Sequence, residues 1–394
     1  MPGSLDLESR NVTTVALLGS DYRGVSFELL CGEGDQVKAG TALMRDARRP
    51  DIRFAAPAAG RVVRIERGAR RKLVSLQIEV DETAGLARLE APSTDERSAL
   101  RAFMLESGLW SSLRTRPFGN IPNPESEPAA LFVTALESGP QAPDAAAIID
   151  VHFEQFSAAV DALTKISAAP VYVCHAPDHR IELESDRLRC VGFDSPLPGA
   201  HINALCPIGF AGGEVWQLGY QDVISLGQLL LHGSPWLQRV IWLGGSAVKN
   251  PRSLLVAPGA AISEVVDGEI LDGRSRIIAG SSIYGRPLSR GQNFLPAGQR
   301  QISVEVVADV ESGDKSRADV ILIPGDRLDR IAPPGVFAVP LMRALQLGDA
   351  ERARELGALE LVEEDVAALS RACSSGNDYG LLLRKVLDQL EAVR

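Results

Sequence analysis

The chain has 394 residues, enough for roughly two to four compact domains. Its 45% hydrophobic and 23% charged content is that of an ordinary soluble globular protein, and no apolar run is long enough to cross a bilayer. A net charge of -10 argues against general nucleic-acid binding, and the opening MPGSLDLESR has neither the basic start nor the apolar stretch of a secretory leader.

The first module is expected over residues 1–85. TTVALLG, SFELLC, IRFAAP, GRVVRIE and KLVSLQIEV are short runs rich in apolar and β-branched residues, which predicts small antiparallel strands joined by tight turns. Gly34, Gly40 and Gly60 fall where the chain must reverse. From Gly34 to Ile65 the string GDQVKAGTALMRDARRPDIRFAAPAAGRVVRI resembles the barrel-sandwich module that carries biotin or lipoate. A carrier presents one lysine at its tip; here the tip reads Arg48-Arg49-Pro50-Asp51, and arginine cannot form that amide. The same module is strongly basic. Arg48, Arg49, Arg53, Arg70 and Arg71 are the candidates for docking an acidic partner or anionic lipid, against the plainer reading of a solvated face.

Residues 86–128 read as a helix and a Pro-rich linker. Leu100, Phe103, Met104 and Leu109 recur at helical spacing between Ser93 and Ser112, and RTRPFGNIPNPESEP reads as a linker or an ordered loop. Residues 129–237 begin with the buried strand AALFVTA, continue through the helical string DAAAIIDVHFEQFSAAVDALTKIS and return in the strand APVYVCHA. That order predicts a right-handed βαβ unit in a Rossmann-like α/β domain, with RLRCVGFDS as a further strand and DVISLGQLLLHG as a further helix. Residues 238–310 suggest a β-grasp domain, from Arg239 to about Leu288, with RQISVEVV as a strand beyond it. Residues 311–394 predict a helical domain. Asp349 is placed to cap AERARELG, and Leu382, Val386 and Leu390 form an apolar stripe on the last helix.

Common chemistry is missing. No G-x-G-x-x-G follows a strand, and there is no P-loop, G-x-S-x-G elbow or H-E-x-x-H pair. Cys31, Cys174, Cys190, Cys206 and Cys373 lack C-x-x-C spacing, so reduced thiols of a cytoplasmic protein are expected rather than zinc or iron–sulfur ligands. His175 and His179 are separated by Pro177 and do not share a helical face, whereas Gly199 and flanking prolines put His201 on a loop. Trp216, Tyr220, Gln221 and Asp222 join aromatic rings to amide and carboxylate groups, a set able to hold a flat ring such as a quinone. Core aromatics with Asp222 as a helix cap is the alternative.

TVALLGSDYRG, APAAGRVVRIERGARR, LFVTALESGP, LPGAHINAL, VWQLGYQDVISLG, NPRSLLVAPGAAISEV and DYGLLLRKVLDQLE, in that order, resemble segments of the NqrA family, a component of the sodium-translocating NADH:quinone oxidoreductase. The resemblance implies a carrier-like module used for docking, an α/β domain without its glycine motif, an SLBB-like β-grasp domain and a helical tail. It implies a peripheral subunit on the cytoplasmic side of a bacterial membrane complex that passes electrons from NADH to ubiquinone and exports sodium. No cofactor is expected in this chain. Ubiquinone is the candidate ligand at Gly199, His201, Trp216, Tyr220, Gln221 and Asp222, with NAD and flavins in partner subunits. A stand-alone adaptor built from the same domains, serving another redox complex, is the second reading.

Overall fold

A computed structural model describes residues 7–137, 139, 141–194, 198–206, 213–283, 285–288, 293–307, 322–333 and 335–393. After a short lead strand, β1 (Glu8–Ser9), the N-terminal module contains β2 (Thr14–Leu18), β3 (Phe27–Leu29), β4 (Gln36–Val37), β5 (Ala42–Asp46), β6 (Arg49–Ala55), β7 (Gly60–Arg67) and β8 (Leu73–Val80). They form two antiparallel sheets, β2-β8-β7-β4 and β3-β5-β6. Side chains alternate between faces along a strand. The inward set, including Val15, Leu43, Ile52, Phe54, Val62, Leu76 and Ile78, is buried in one core shared by both sheets. Gly60 is required at the start of β7: its φ is 154° and a Cβ there would stand 2.0 Å from the Glu79 carbonyl oxygen. The β5–β6 tip is Ala47–Arg48, and Arg49 to Asp51 already belong to β6.

Helix α1 (Arg97–Glu106) buries Leu100, Phe103 and Met104, as its spacing predicts. The Pro-rich segment after it is ordered. It supplies a strand, β9 (Arg114–Arg116), and places Phe118 in the core of the C-terminal helices. The α/β domain then runs β10 (Ala130–Ala135), α2 (Ala145–Val151), α3 (Phe153–Leu163), β11 (Val171–His175), β12 (Leu188–Gly192), α4 (Pro198–Leu205), β13 (Val215–Gly219) and α5 (Tyr220–His232). Its sheet order is β12-β11-β10-β13-β9, with the first four strands parallel and β9 antiparallel to β13. Leu131, Val133 and Trp216 join the core on one face of this sheet, whereas Ala130, Phe132 and Val215 pack with Ile202 of α4 on the other. On the first face α5 and α3 meet at Gly227, where a Cβ would lie 1.7 Å from the Gln155 carbonyl oxygen.

The third domain contains β14 (Arg239–Gly244), β15 (Arg252–Val256), α6 (Ile262–Val265), β16 (Ser275–Ala279), β17 (Arg286–Pro287) and β18 (Gln301–Val306). Its order is β1-β15-β14-β18-β16-β17. The RQISVEVV strand therefore does not lie beyond this sheet. It is central, parallel to β14 and antiparallel to β16, because both of its neighbours leave their inner edges unpaired without it. Five helices close the chain: α7 (Asp326–Ile331), α8 (Ala338–Leu347), α9 (Ala350–Glu355), α10 (Ala367–Ala372) and α11 (Tyr379–Ala392). Asp349 caps α9 by accepting from the Arg352 N–H at 3.0 Å. On α11 the buried stripe is Tyr379, Leu383, Val386 and Leu387; Leu382 and Leu390 sit at its margins rather than at its centre. No helix among the described residues is long and apolar enough to cross a membrane.

Candidate functional site

In open α/β sheets ligands bind outside the carboxyl ends of the strands, where the strand order reverses. Here that point lies between β10 and β13, and it is filled from the neighbouring domain. Arg300, just before β18, donates from Nε to Glu137 Oε1 at 2.5 Å, and its guanidinium lies 5.4 Å from the Tyr220 ring centre. Gly219 makes room for it: a Cβ there would stand 3.2 Å from the guanidinium nitrogens. Burial pushes the Glu137 carboxyl above its ordinary pKa, and the Arg300 charge pulls it back. Burial, and then the Glu137 charge, push the Tyr220 hydroxyl well above its ordinary value. A cation–carboxylate pair thus occupies the crevice in which a nucleotide phosphate would lie.

The residues expected around a quinone ring are engaged with the protein itself. Trp216 is fully buried, edge-on to Trp110 at 5.3 Å, and its indole N–H donates to Glu214 at 2.8 Å. Gln221 is fully buried and brackets one residue of β14, donating to the Val240 carbonyl at 2.9 Å and accepting from the Val240 N–H at 3.0 Å. Asp222 does not cap α5, which starts two residues earlier at Tyr220; it pairs with Arg239 at 3.0 Å. Tyr220, Gln221 and Asp222 therefore form the joint between the α/β domain and the third domain.

Gly199 and His201 lie in helix α4, not on a loop, because Pro198 at its first position presets the helical φ and replaces an N–H that needs no partner there. His201 is buried and stacks on Phe193 with ring centres 4.4 Å apart. Helix α4 covers the sheet face opposite Trp216, so the two candidate stretches are not brought into one pocket.

Two features carry little signal in the sequence. One is a polar seam between the α/β sheet and the C-terminal helices. Arg116 of β9 donates to Gln217 at 2.8 Å, Gln217 donates to Thr134 at 2.9 Å, and Asn203 of α4 donates to the Glu360 carbonyl at 3.0 Å. Asp365 faces Arg116 there. Burial raises its carboxyl pKa to about 6, although Arg116 and the Val362 N–H work in the other direction. The other feature is an open cleft of about 460 Å³ at the carboxyl ends of β10 and β11. It is lined by Gln141, Pro143, Ala146, Ala176, Asp178 and His179, and Gln141 holds a positive φ of 62°. Only His179 carries any sequence signal, and its ring bonds Asp150 at 2.9 Å.

The basic candidates are divided between two sheets. Arg48 and Arg53 are exposed and have no carboxylate partner among the described residues. Arg49 is structural: it pairs with the buried Asp46 at 2.9 Å and donates to the Ile121 carbonyl at 2.9 Å. Arg70 and Arg71 are exposed on the β7–β8 hairpin.

Three family models match in chain order: the NqrA N-terminal barrel-sandwich hybrid domain over residues 4–81, the NqrA second alpha/beta domain over 95–235 and the NQRA C-terminal domain over 240–290. Curated relatives named as the NqrA component of Na(+)-translocating NADH-quinone reductase align over nearly the whole chain. The Pseudomonas aeruginosa protein is 36% identical over 97% of this chain and 94% of its own length. The Vibrio campbellii protein is 33% identical over 99% and 96%, and the Yersinia pestis protein 34% identical over 96% and 93%. With its three domains in the family's order and near-complete coverage at this identity, the chain belongs to the NqrA family of the Na(+)-translocating NADH-quinone reductases.

Proposed function

We propose that this protein is the peripheral NqrA component of a sodium-translocating NADH:quinone reductase, held on the cytoplasmic side of the membrane by partner subunits. The observation that carries this is the alignment of 36% identity across 97% of the chain with a component of that name. NAD, flavin and sodium chemistry belongs to the partners, and this chain contributes a rigid multi-domain scaffold. Its finer fold fits that role. The α/β domain is Rossmann-like in strand order, the third domain is a β-grasp of SLBB type, and Gln221, Asp222 and Arg300 lock the two together. Co-purification with the partner subunits from native membranes tests this reading.

Quinone contact is a second reading, favoured by the open cleft at the carboxyl ends of β10 and β11, whose volume of about 460 Å³ suits a small ring compound. The aromatic set around Trp216 serves the domain joint in this reading, and the ring lies against Pro143 and Ala146. Ala146→Trp fills the cleft without touching the joint. Calorimetry with a short-chain ubiquinone analogue is expected to show roughly ten-fold weaker binding, the equivalent of about 1.4 kcal/mol. Unchanged affinity in that variant, or loss of affinity only in His201→Ala with Tyr220→Phe, moves the site to α4 and the start of α5.

A further inference from the structure

The hairpin between β7 and β8 is closed by residues poorly suited to its turn. Arg70 and Arg71 have φ values of 54° and 59°, and the Lys72 N–H donates to the Ala69 carbonyl at 3.2 Å. Two consecutive left-handed residues at the centre define a type I′ turn, whose preferred pair is Asn-Gly. An arginine backbone held left-handed costs free energy that glycine or asparagine avoids, and such strain persists where side-chain identity serves a function. The turn is nonetheless well fixed. The Gly68 N–H donates to the Lys72 carbonyl at 2.8 Å, and the Arg67 guanidinium donates to the Arg71 carbonyl at 3.0 Å.

The surroundings say what the arginines face. Every residue from Arg67 to Lys72 is exposed. Arg64, Arg67, Arg70, Arg71 and Lys72 are opposed locally only by Glu66, on a chain whose net charge is -10. Val63 and Val74, one on each strand, are 40% and 36% exposed beside them. A stable protein interface buries about 800 Å² per partner around aromatic anchors, and this small tip has no aromatic residue. Long cations with short apolar flanks suit a plane of anionic headgroups, which attracts each nearby Lys or Arg and accepts small apolar groups at its boundary.

We propose that the β7–β8 hairpin tip is a direct contact with the membrane surface, binding anionic phospholipid headgroups through Arg64, Arg67, Arg70, Arg71 and Lys72. It rests on the proposed membership of a membrane complex only in placing a membrane within reach, and the site is complete within this chain.

Flotation of the full chain with phosphatidylcholine vesicles, with and without one third phosphatidylglycerol, tests it. The wild type is expected to float with the anionic vesicles at low salt and to be released as salt rises, since exposed charges are screened. Arg70→Asn with Arg71→Gly gives the turn its preferred residues. It is expected to raise the melting temperature while weakening anionic-vesicle binding about ten- to thirty-fold, the effect of losing two charges near such a surface. Arg70→Lys with Arg71→Lys is expected to retain binding without the thermal gain. Equal binding to both vesicle types, no binding at low salt, or wild-type binding by the Asn-Gly variant overturns the proposal. Co-purification with partner subunits is read separately on the same variants. An Asn-Gly variant that loses its partners but still floats with anionic vesicles identifies the tip as a protein contact and also overturns it.

Discussion

Arg300 and Glu137 are 163 residues apart in sequence and meet at the carboxyl edge of the α/β sheet. Neither side chain is more than about one fifth exposed, so their separation leaves a charge with little water to receive it. Arg300→Met is expected to destabilise the protein by about 3 kcal/mol in urea titration, the usual cost of breaking a buried pair by removing one partner. Arg300→Met with Glu137→Leu is expected to recover most of that loss, because no charge remains buried alone. Equal losses in the single and double variants mean that packing, not the charge pair, closes the crevice. Glu137 is visible in LFVTALESGP, but nothing local identifies its partner: an ion pair between domains leaves no periodicity to read. Arg49 teaches the same lesson in reverse. It reads as one more cation in a basic run, and only the fold shows the buried Asp46 that it serves.

At the scale of elements, the seam between β9, α4 and the C-terminal helices gives the protein a titrating joint. The Asp365 carboxyl has a folded pKa of about 6, above its ordinary 3.8, chiefly through burial. A raised carboxyl pKa means that the folded state binds the proton more tightly. Its stabilising contribution is therefore complete below about pH 4 and is lost as pH rises through about 6. Asp365→Asn is expected to flatten this part of the melting-temperature profile and to gain up to about 2 kcal/mol relative to wild type between pH 4 and 7. Asp21, also raised to about 6 by burial, keeps its own slope in both proteins, so the difference between the two profiles is the quantity to measure. Parallel profiles mean that Asp365 stays ionised in the fold.

These elements are legible in the sequence to different degrees. Strands β10 and β11 and the helices between them follow from apolar runs and spacing, and Asp349 announces the start of α9. Strand β9 is hidden by Pro117 and Gly119, which end it after three residues, and its pairing depends on Val215, a hundred positions away. The central place of β18 is hidden because neighbour order within a sheet is set by tertiary pairing, not by the strand's own pattern. Helix α4 is hidden by its length; Pro198 is a usable start signal, but the segment is too short for spacing to outweigh its flanking Gly and Pro.

At the scale of the molecule, the three family domains follow one another with little intervening chain, and a continuous apolar core runs through them. The lead strand β1 pairs with β15 of the third domain, and Phe118 seats the C-terminal helices, so each end of the chain is tied into the whole. That construction suits a component whose work is to hold surfaces in fixed relation. The order of segments is readable because it is spread over many local motifs; the open cleft is not, because its lining is drawn from the ends of strands and the loops after them. The most direct test of the central claim is affinity purification of the tagged full chain from the native membrane fraction, with mass spectrometry of what accompanies it. The expected result is stoichiometric recovery of the integral, flavin-bearing and iron–sulfur-bearing subunits of a sodium-translocating NADH:quinone reductase, together with NADH:quinone reductase activity. Recovery of the chain alone, or with the subunits of a different redox complex, contradicts it.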